Sequence, residues 1–287
     1  MTYVTLNNGV KMPQLGYGVY QTPAEETERC VLAAIKNGYR SIDTAQAYGN
    51  EEGVGNAIAK CGLPREELFI TTKIWITNAG YEKAKASIEE SLKKLKSDYV
   101  DLLLIHQPFG DYCGTYRAME EAYKAGKARA IGVSNFYPDR FIDIAHFAEV
   151  KPAVNQVENH VFQQQKAAKK YLAKCGTQLM SWGPFAEGRN DFFNTPALVE
   201  IGAKYGKLHR YGLVVFSAEK LFGSGSRHFY PVQLQRVLTV PVPAVAEPSL
   251  AVHQLAYAGL SLLLSRIDLR LRVGILLSAG ALRRELR

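Results

Sequence analysis

The chain has 287 residues, of which 47% are hydrophobic and 22% charged, and its formal net charge is +8 at pH 7. This is the composition of an ordinary soluble globular protein. No apolar run reaches the roughly 18 residues of a membrane span, and the first residues lack the basic and apolar regions of a signal peptide. We therefore expect a cytoplasmic protein that binds no membrane.

The positive charge is concentrated at one end of the chain. Residues 1–207 contain 25 Lys and Arg against 23 Asp and Glu, whereas residues 208–287 contain 10 against 4. The body has no basic stripe with interleaved aromatic residues, so we expect no nucleic-acid partner. The cysteines are scattered without a CxxC pair, which gives no indication of a disulfide framework or of a bound metal.

The predicted elements begin with a β-hairpin over YVTLNNGVKMP, where Asn8-Gly9 supplies a turn with positive φ. A short strand follows at 14–19. The first helix is then predicted from an N-cap, a first-turn proline, a capping-box acid and a terminal glycine, at Thr22, Pro23, Glu25 and Gly38.

The same strand-then-helix unit recurs along the next part of the chain. The predicted strand and helix ranges are 39–45 with 51–60, 68–73 with 81–96, 100–106 with 115–125, 128–134 with 138–148, 152–156 with 163–174, and 177–182 with a helix that begins near Pro196. Strands that alternate with helices in this way predict parallel βαβ units.

Seven such units in succession, without a doubled glycine fingerprint, favour an α/β fold of the (β/α)8 TIM-barrel type over a Rossmann fold. The segment Gly16-Tyr17-Gly18 is too short for a dinucleotide-binding loop. The pattern cannot be followed beyond residue 207, so the last one or two βα units are not predicted from the sequence.

The composition of the chain changes at about residue 207. Up to this point there are 18 Lys and 7 Arg, and after it there are 1 Lys, 9 Arg and 17 Leu. This change resembles a shifted reading frame more than a domain boundary, and the alternative is a divergent C-terminal segment. We predict a barrel with strands 1–7 over residues 1–207 and a non-matching segment over 208–287.

Four polar residues follow the predicted strands in the first part of the chain, namely Asp43, Tyr48, Lys73 and His106. Polar groups at the ends of successive strands are how a barrel enzyme builds its active site. An ammonium close to a phenol lowers the pKa of that phenol and makes it a usable proton donor. Taken singly, each residue also has a structural interpretation, such as a turn cap, a surface aromatic or a solvated strand end.

Residues 1–207 resemble the aldo-keto reductase family, in particular its bacterial 2,5-diketogluconate and glyoxal reductase branch. The motifs that carry the resemblance occur in the order and spacing of the family: NNGVKMPQLGYGVYQ, GYRSIDTAQAYGNEEGVGNAI, LFITTKIW, DYVDLLLIHQPFGD, IGVSNF, PAVNQVE and SWGPFAEG. The resemblance ends with GAKYGK. It implies a barrel enzyme that reduces small aldehydes and ketones with NADPH.

The resemblance also implies a role for each of the four polar residues. Tyr48 is expected to protonate the carbonyl oxygen while the nicotinamide delivers a hydride to the carbonyl carbon. Lys73 is expected to lower the pKa of Tyr48, and Asp43 to pair with Lys73. His106 is expected to hydrogen-bond the substrate oxygen and orient it.

The same resemblance also implies which residues bind the cofactor and the substrate. Ser134, Asn135 and Gln156 are expected to hydrogen-bond the nicotinamide carboxamide, and Trp182 to stack on the ring. Tyr20 and Trp75 match positions that line the substrate pocket, although packing in the protein core is an alternative for both. Together with His106 they form the expected substrate site.

One part of the family pattern is missing. An IPKS-like strand end followed by an Arg and an Asn grips the adenosine 2′-phosphate in the family, and nothing after Lys207 reproduces it. The expected protein is a monomeric NADPH-dependent reductase of glyoxal-type or 2,5-diketogluconate-type carbonyls. The alternatives are an inactive or truncated barrel that does not bind cofactor productively, a channel-associated redox subunit, and a membrane- or partner-binding tail.

Overall fold

The computed structural model describes residues 1–204 of the chain. The segment 208–287 lies outside the described residues, so the division of the chain at residue 207 stays a prediction. The described strands are β1 Tyr3–Thr5, β2 Lys11–Pro13, β3 Gly16–Gly18, β4 Ser41–Asp43, β5 Phe69–Ile74, β6 Leu102–Ile105, β7 Ile131–Ser134, β8 Val154–Glu158 and β9 Gln178–Trp182. The described α-helices are α1 Ala24–Lys36, α2 Glu51–Lys60, α3 Tyr81–Leu95, α4 Tyr112–Lys124, α5 Pro138–Phe147, α6 Lys166–Lys174 and α7 Pro196–Lys204.

The strands from β3 to β9 form one parallel sheet in which neighbours in sequence are neighbours in space. A helix follows each of these strands, as the predicted βαβ pattern requires. A hydrogen bond across the interior shows that the sheet is strongly curved. Gln156 of β8 donates it to Asp43 of β4 at 2.8 Å. In a flat sheet these two strands would lie about 19 Å apart. The predicted barrel-type α/β fold is therefore confirmed for seven strands of the described chain.

The interior of the curved sheet changes from apolar to polar along β5 and β6. Side chains two residues apart point to the same face, so Phe69 and Lys73 share one face of β5, and Leu102, Leu104 and His106 share one face of the next strand and its end. Phe69 and both leucines belong to a buried apolar cluster near the amino ends of the strands. The polar members of these rows lie at the carboxyl ends.

The predicted hairpin covers the apolar end of this interior. Strands β1 and β2 pair antiparallel, and Gly9 adopts the expected positive φ of 85° in the turn between them. Leu6 and Met12 from the hairpin are buried in the same cluster as the interior leucines. The polar carboxyl ends of the strands are therefore the part of the interior that a ligand can approach.

A second and larger apolar layer lies between the sheet and its helices. It is formed by outward-facing strand residues such as Ile42, Ile70 and Leu103, and by helix residues such as Val31 and Leu95. Full burial of each side chain of this kind stabilises the fold by about 1.5–3 kcal/mol. This layer fixes the strands whose ends carry the polar residues.

Two predicted helix starts are wrong. The capping box at Thr22 and Glu25 does not form, because Pro23 is the N-cap residue and no side chain caps α1. Helix α4 begins at Tyr112 rather than 115, because the side chain of Asp111 accepts a 2.7 Å hydrogen bond from the backbone N–H of Gly114. An aspartate in this position caps a helix well.

A third helix begins later than its sequence predicts. Helix α6 starts at Lys166 instead of 163, because the backbones of His160 and Gln163 pair in a short antiparallel bridge.

Within residues 1–204 no helix is long and apolar enough to cross a membrane. The same residues contain no group of three or more His, Cys, Asp or Glu that could hold a metal ion.

Candidate active site

The structure brings the four predicted polar residues together at the carboxyl ends of neighbouring strands. Asp43 is the last residue of β4, Lys73 lies one residue before the end of β5, and His106 directly follows β6. Tyr48 lies on a short 3-10 turn, Gln46–Tyr48, after β4. The parallel register of β4, β5 and β6 is what aligns these ends.

The ammonium group of Lys73 has three hydrogen-bond partners, and its side chain is only 1% exposed. It forms an ion pair with Asp43, donates to the backbone carbonyl of Thr44 at 2.9 Å, and lies 3.3 Å from the hydroxyl of Tyr48. An ammonium has three N–H donors, so each of them is accounted for. This geometry fixes the charge directly beside the phenol.

The charge of Lys73 is retained in spite of its burial. Burial works to lower the pKa of Lys73, but the Asp43 carboxylate and the Tyr48 hydroxyl raise it above its ordinary value. A buried charge without a partner is strongly destabilising. The carboxylate of Asp43 therefore makes a buried, protonated lysine possible at this position.

The pKa of Tyr48 is raised overall, although Lys73 lowers it as expected. Burial is the largest cause, and it outweighs the lowering effect of the nearby Lys73 ammonium, while the Asp43 carboxylate raises the value further. The loss of water around the buried phenol disfavours the phenolate more than the ammonium favours it. The phenol is consequently protonated at neutral pH, which is the state that a proton donor needs.

His106 is a neutral imidazole packed against two aromatic rings. Its pKa is lowered to about 3, first by burial and then by the positive charge of Lys73. Its ring meets those of Tyr48 and Trp75 edge-on, with centroids 5.5 and 5.0 Å apart. Its Nδ1 atom is buried and has no hydrogen-bond partner in the described part of the chain. A neutral imidazole can still donate one hydrogen bond.

The residues expected at the cofactor form a connected cluster beside these four. Ser134 donates to the backbone carbonyl of Gln156 at 2.9 Å, and the indole N–H of Trp182 donates to Asn135 Oδ1 at 2.8 Å. Asn135 has a positive φ of 62° and donates to the backbone carbonyl of His106 at 3.0 Å. Amide, hydroxyl and indole groups at three adjacent strand ends fit a flat ring that carries a carboxamide.

Gln156 connects the two groups of residues. Its amide nitrogen donates to Asp43 Oδ2 at 2.8 Å, while the other oxygen of Asp43 faces Lys73. The same nitrogen lies 3.3 Å from the sulfur of Met180. Asp43 is therefore held from both sides, and a ring bound beside Gln156 would lie next to the Lys73 and Tyr48 pair.

The two expected pocket aromatics lie on either side of Tyr48 and His106. Tyr20 follows β3 and is 54% exposed, with its ring centroid 5.0 Å from that of Tyr48. Trp75 follows β5 and packs against His106. The exposure of Tyr20 argues against the core alternative for this residue. The four rings therefore form a continuous row of contacts, with Tyr20 at one end and Trp75 at the other.

Asn50 holds the loop of Tyr20, and sequence reasoning missed it. Its Oδ1 accepts from the Thr44 hydroxyl at 2.8 Å, and its amide nitrogen donates to the backbone carbonyls of Val19 and Thr22 at 2.9 and 3.2 Å. Asn50 is buried. The sequence signal for it is the AYGNE segment, in which Asn50 directly precedes helix α2.

Comparison with known proteins finds related chains. The model of the Aldo/keto reductase family matches residues 8–197. Glyoxal reductase of Bacillus subtilis (strain 168) is 48% identical over 206 residues, which are 71% of this chain and 74% of that protein. The crystal structure of an aldo/keto reductase from Brucella melitensis has 38% identity and a TM-score of 0.73, and the match covers 76% of this chain and 84% of that one.

A complex with cofactor is also among the similar structures. The aldo-keto reductase of Bombyx mori in complex with NADP has 31% identity and a TM-score of 0.72, and the match covers 76% of this chain and 80% of that one. The sequence matches and the structural matches thus point to the same family. The chain belongs to the aldo/keto reductase family, whose members are oxidoreductases that act on small carbonyl compounds.

Proposed function

We propose that this protein reduces small aldehydes and ketones to alcohols with NADPH, and that glyoxal-type or 2,5-diketogluconate-type carbonyls are its substrates. The observation that carries the proposal is the buried Lys73 ammonium, paired with Asp43 and 3.3 Å from the hydroxyl of Tyr48. The similarity to a glyoxal reductase supports the substrate class. The protein is proposed to work as a cytoplasmic monomer.

Tyr48 is the proposed general acid. When bound, the reduced nicotinamide supplies the hydride that the carbonyl carbon accepts, and the carbonyl oxygen then needs one proton to become a hydroxyl. The Tyr48 phenol donates that proton, and the Lys73 ammonium stabilises the phenolate that is left. A positioned proton donor of this kind contributes about 10²–10⁴-fold to the rate.

His106 is proposed to orient the substrate. Because its pKa is lowered to about 3, the imidazole stays neutral while its neighbour Lys73 is charged. The single N–H of the neutral imidazole can donate a hydrogen bond to the carbonyl oxygen. The imidazole does not give up this proton, so Tyr48 remains the proton donor. The oxygen would then lie between the Tyr48 hydroxyl and the His106 ring, whose ring centroids are 5.5 Å apart.

Four side chains are proposed to hold the nicotinamide. The carboxamide of the ring would exchange hydrogen bonds with Ser134, Asn135 and Gln156, and the Trp182 indole would stack on the ring face. Flat aromatic surfaces favour this contact. Trp182 is the last residue of β9 and pairs with Glu158 of β8, two residues beyond Gln156. These residues set which face of the ring meets the substrate.

The test uses the purified full-length chain, NADPH, and glyoxal as the probe substrate. We expect substrate-dependent oxidation of NADPH and an alcohol product. The alternative, a barrel that does not bind cofactor productively, is favoured by the missing 2′-phosphate motif after Lys207. Absence of both NADPH binding and turnover in a folded preparation would favour that alternative.

A further inference from the structure

Gln46 makes four hydrogen bonds that no proposed catalytic role explains. Its Oε1 accepts from the backbone N–H of Trp75 and from the side-chain amide of Asn78, both at 2.9 Å. Its Nε2 donates to the backbone carbonyl of Ser87 at 3.2 Å and to the hydroxyl of Ser91 at 3.1 Å. The side chain therefore connects the turn that carries Tyr48 with the loop that carries Trp75 and with helix α3.

The hydrogen bond from the Trp75 backbone N–H to Gln46 lies beyond the end of the pairing between β4 and β5. The pairing of β4 with β5 stops at Asp43 and Thr71, so no strand carbonyl of β4 reaches the N–H of Trp75. On the other side, the pairing of β5 with β6 ends at Ile74. A backbone N–H without a partner away from water is costly. The amide oxygen of Gln46 supplies this partner and fixes the start of the loop.

We propose that Gln46 is a positioning residue that sets the orientation of Trp75 and thereby the affinity for carbonyl substrates with bulky or aromatic groups. This inference rests on the proposed function, in which the Trp75 indole lines the substrate pocket. Trp75 packs against His106 with ring centroids 5.0 Å apart. Gln46 itself precedes Tyr48 in a 3-10 turn, so one amide couples the wall of the pocket to the residue that donates the proton.

The two ends of the amide have separable roles. The oxygen holds Trp75 and Asn78, and the nitrogen holds helix α3 through Ser87 and Ser91. Gln46→Met has a similar length but removes both sets of hydrogen bonds. Gln46→Glu keeps oxygen acceptors for Trp75 and Asn78 but loses the N–H donors. The glutamate variant should therefore keep more of the wild-type behaviour than the methionine variant.

The kinetic test compares benzaldehyde with glyoxal, using NADPH. For Gln46→Met we expect KM for benzaldehyde to rise about fivefold or more, with kcat changed less than about twofold and a smaller effect on glyoxal. Gln46→Glu should lie between this variant and the wild type. Gln178→Met is the matched control. Gln178 is the first residue of β9 and so lies at the amino ends of the strands, whereas the site lies at their carboxyl ends.

A second measurement does not depend on catalysis. The chain contains 2 Trp residues, so Trp182→Phe leaves Trp75 as the single tryptophan. In this background, Gln46→Met should increase the quenching of Trp75 fluorescence by acrylamide, and Gln178→Met should not. Circular dichroism of each variant confirms that it is folded before quenching is measured.

The outcomes separate this inference from the proposed function. If the wild-type chain reduces no carbonyl, the proposed function fails, and the quenching measurement alone then decides whether Gln46 positions Trp75. Unchanged quenching in folded Gln46→Met would overturn the inference. An equal rise in KM for glyoxal and benzaldehyde would also overturn it, because a displaced Trp75 should affect the larger substrate more.

Discussion

The side-chain amide of Gln156 donates a 2.8 Å hydrogen bond to Asp43, although three strands of the sheet lie between the strands that carry them. This contact crosses the interior of the curved sheet at its carboxyl end. It joins the residues proposed to hold the nicotinamide with those proposed to move the proton. Asp43 therefore has two functions, as the counter-ion of Lys73 and as the acceptor that orients Gln156.

The first prediction concerns the buried ion pair. Lys73→Met should lower the free energy of unfolding by about 3–5 kcal/mol, because it leaves the Asp43 carboxylate without its charge partner. The double variant Asp43→Asn with Lys73→Met should recover part of this stability but no activity. Urea unfolding curves measure the change.

An exposed ion pair serves as the control for this experiment. Lys124 and Glu149 lie 2.8 Å apart with more than half of each side chain exposed. Lys124→Met should change stability by about 0–1 kcal/mol. If Lys73→Met were equally mild, the Asp43 carboxylate would not depend on Lys73 as its charge partner.

The second prediction concerns pH and His106. The folded-state pKa is lowered from 6.5 to about 3, so the unfolded chain binds the proton more readily between these values. The stability that this neutral histidine contributes is fully present above pH 6.5 and is lost as the pH falls toward about 3. His106→Gln should remove this part of the pH dependence.

The check is a series of urea unfolding curves for the wild type and His106→Gln at several pH values. The wild type should lose stability relative to the variant as the pH is lowered through the acidic range. A constant difference between the two proteins across this range would mean that the imidazole is not protected from protonation in the folded state.

The third prediction concerns cofactor choice. Discrimination between NADPH and NADH depends on cationic and hydrogen-bonding groups around the 2′-phosphate, and the sequence after Lys207 lacks the matching motif. We expect the preference for NADPH to be less than about tenfold in affinity, which corresponds to about 1.4 kcal/mol. Titration of protein fluorescence with each cofactor measures it, and a larger preference would mean that other residues contact the phosphate.

Much of the fold and the positions of the four polar residues could be predicted from the sequence. Alternating strands and helices fix a parallel sheet, and parallel strands bring Asp43, Lys73 and His106 to one end. The pKa direction of Tyr48 could not be predicted, because it depends on how much water the folded chain removes from the phenol. The role of Gln46 was also not visible, since its partners at Trp75 and Ser91 are distant in sequence.

The helix boundaries show a related limit. Thr22 has the right residue type for an N-cap, but Pro23 occupies that position in the structure. Asp111 also has the right type and does cap its helix. A suitable residue type is therefore not sufficient to predict a helix start, because it also depends on which hydrogen bonds form in the folded chain. The interpretation of residues 208–287 as frame-shifted lies outside the described residues and stays a prediction.

The central claim is that Tyr48 donates the proton, and Tyr48→Phe tests it most directly. This variant keeps the ring and removes only the hydroxyl that lies 3.3 Å from Lys73. Steady-state turnover of glyoxal with NADPH should fall by about 10²-fold or more, while NADPH affinity from fluorescence titration stays within about twofold, because the proton is transferred in the transition state. Retention of more than about a tenth of wild-type turnover would contradict the claim and assign the proton to another group.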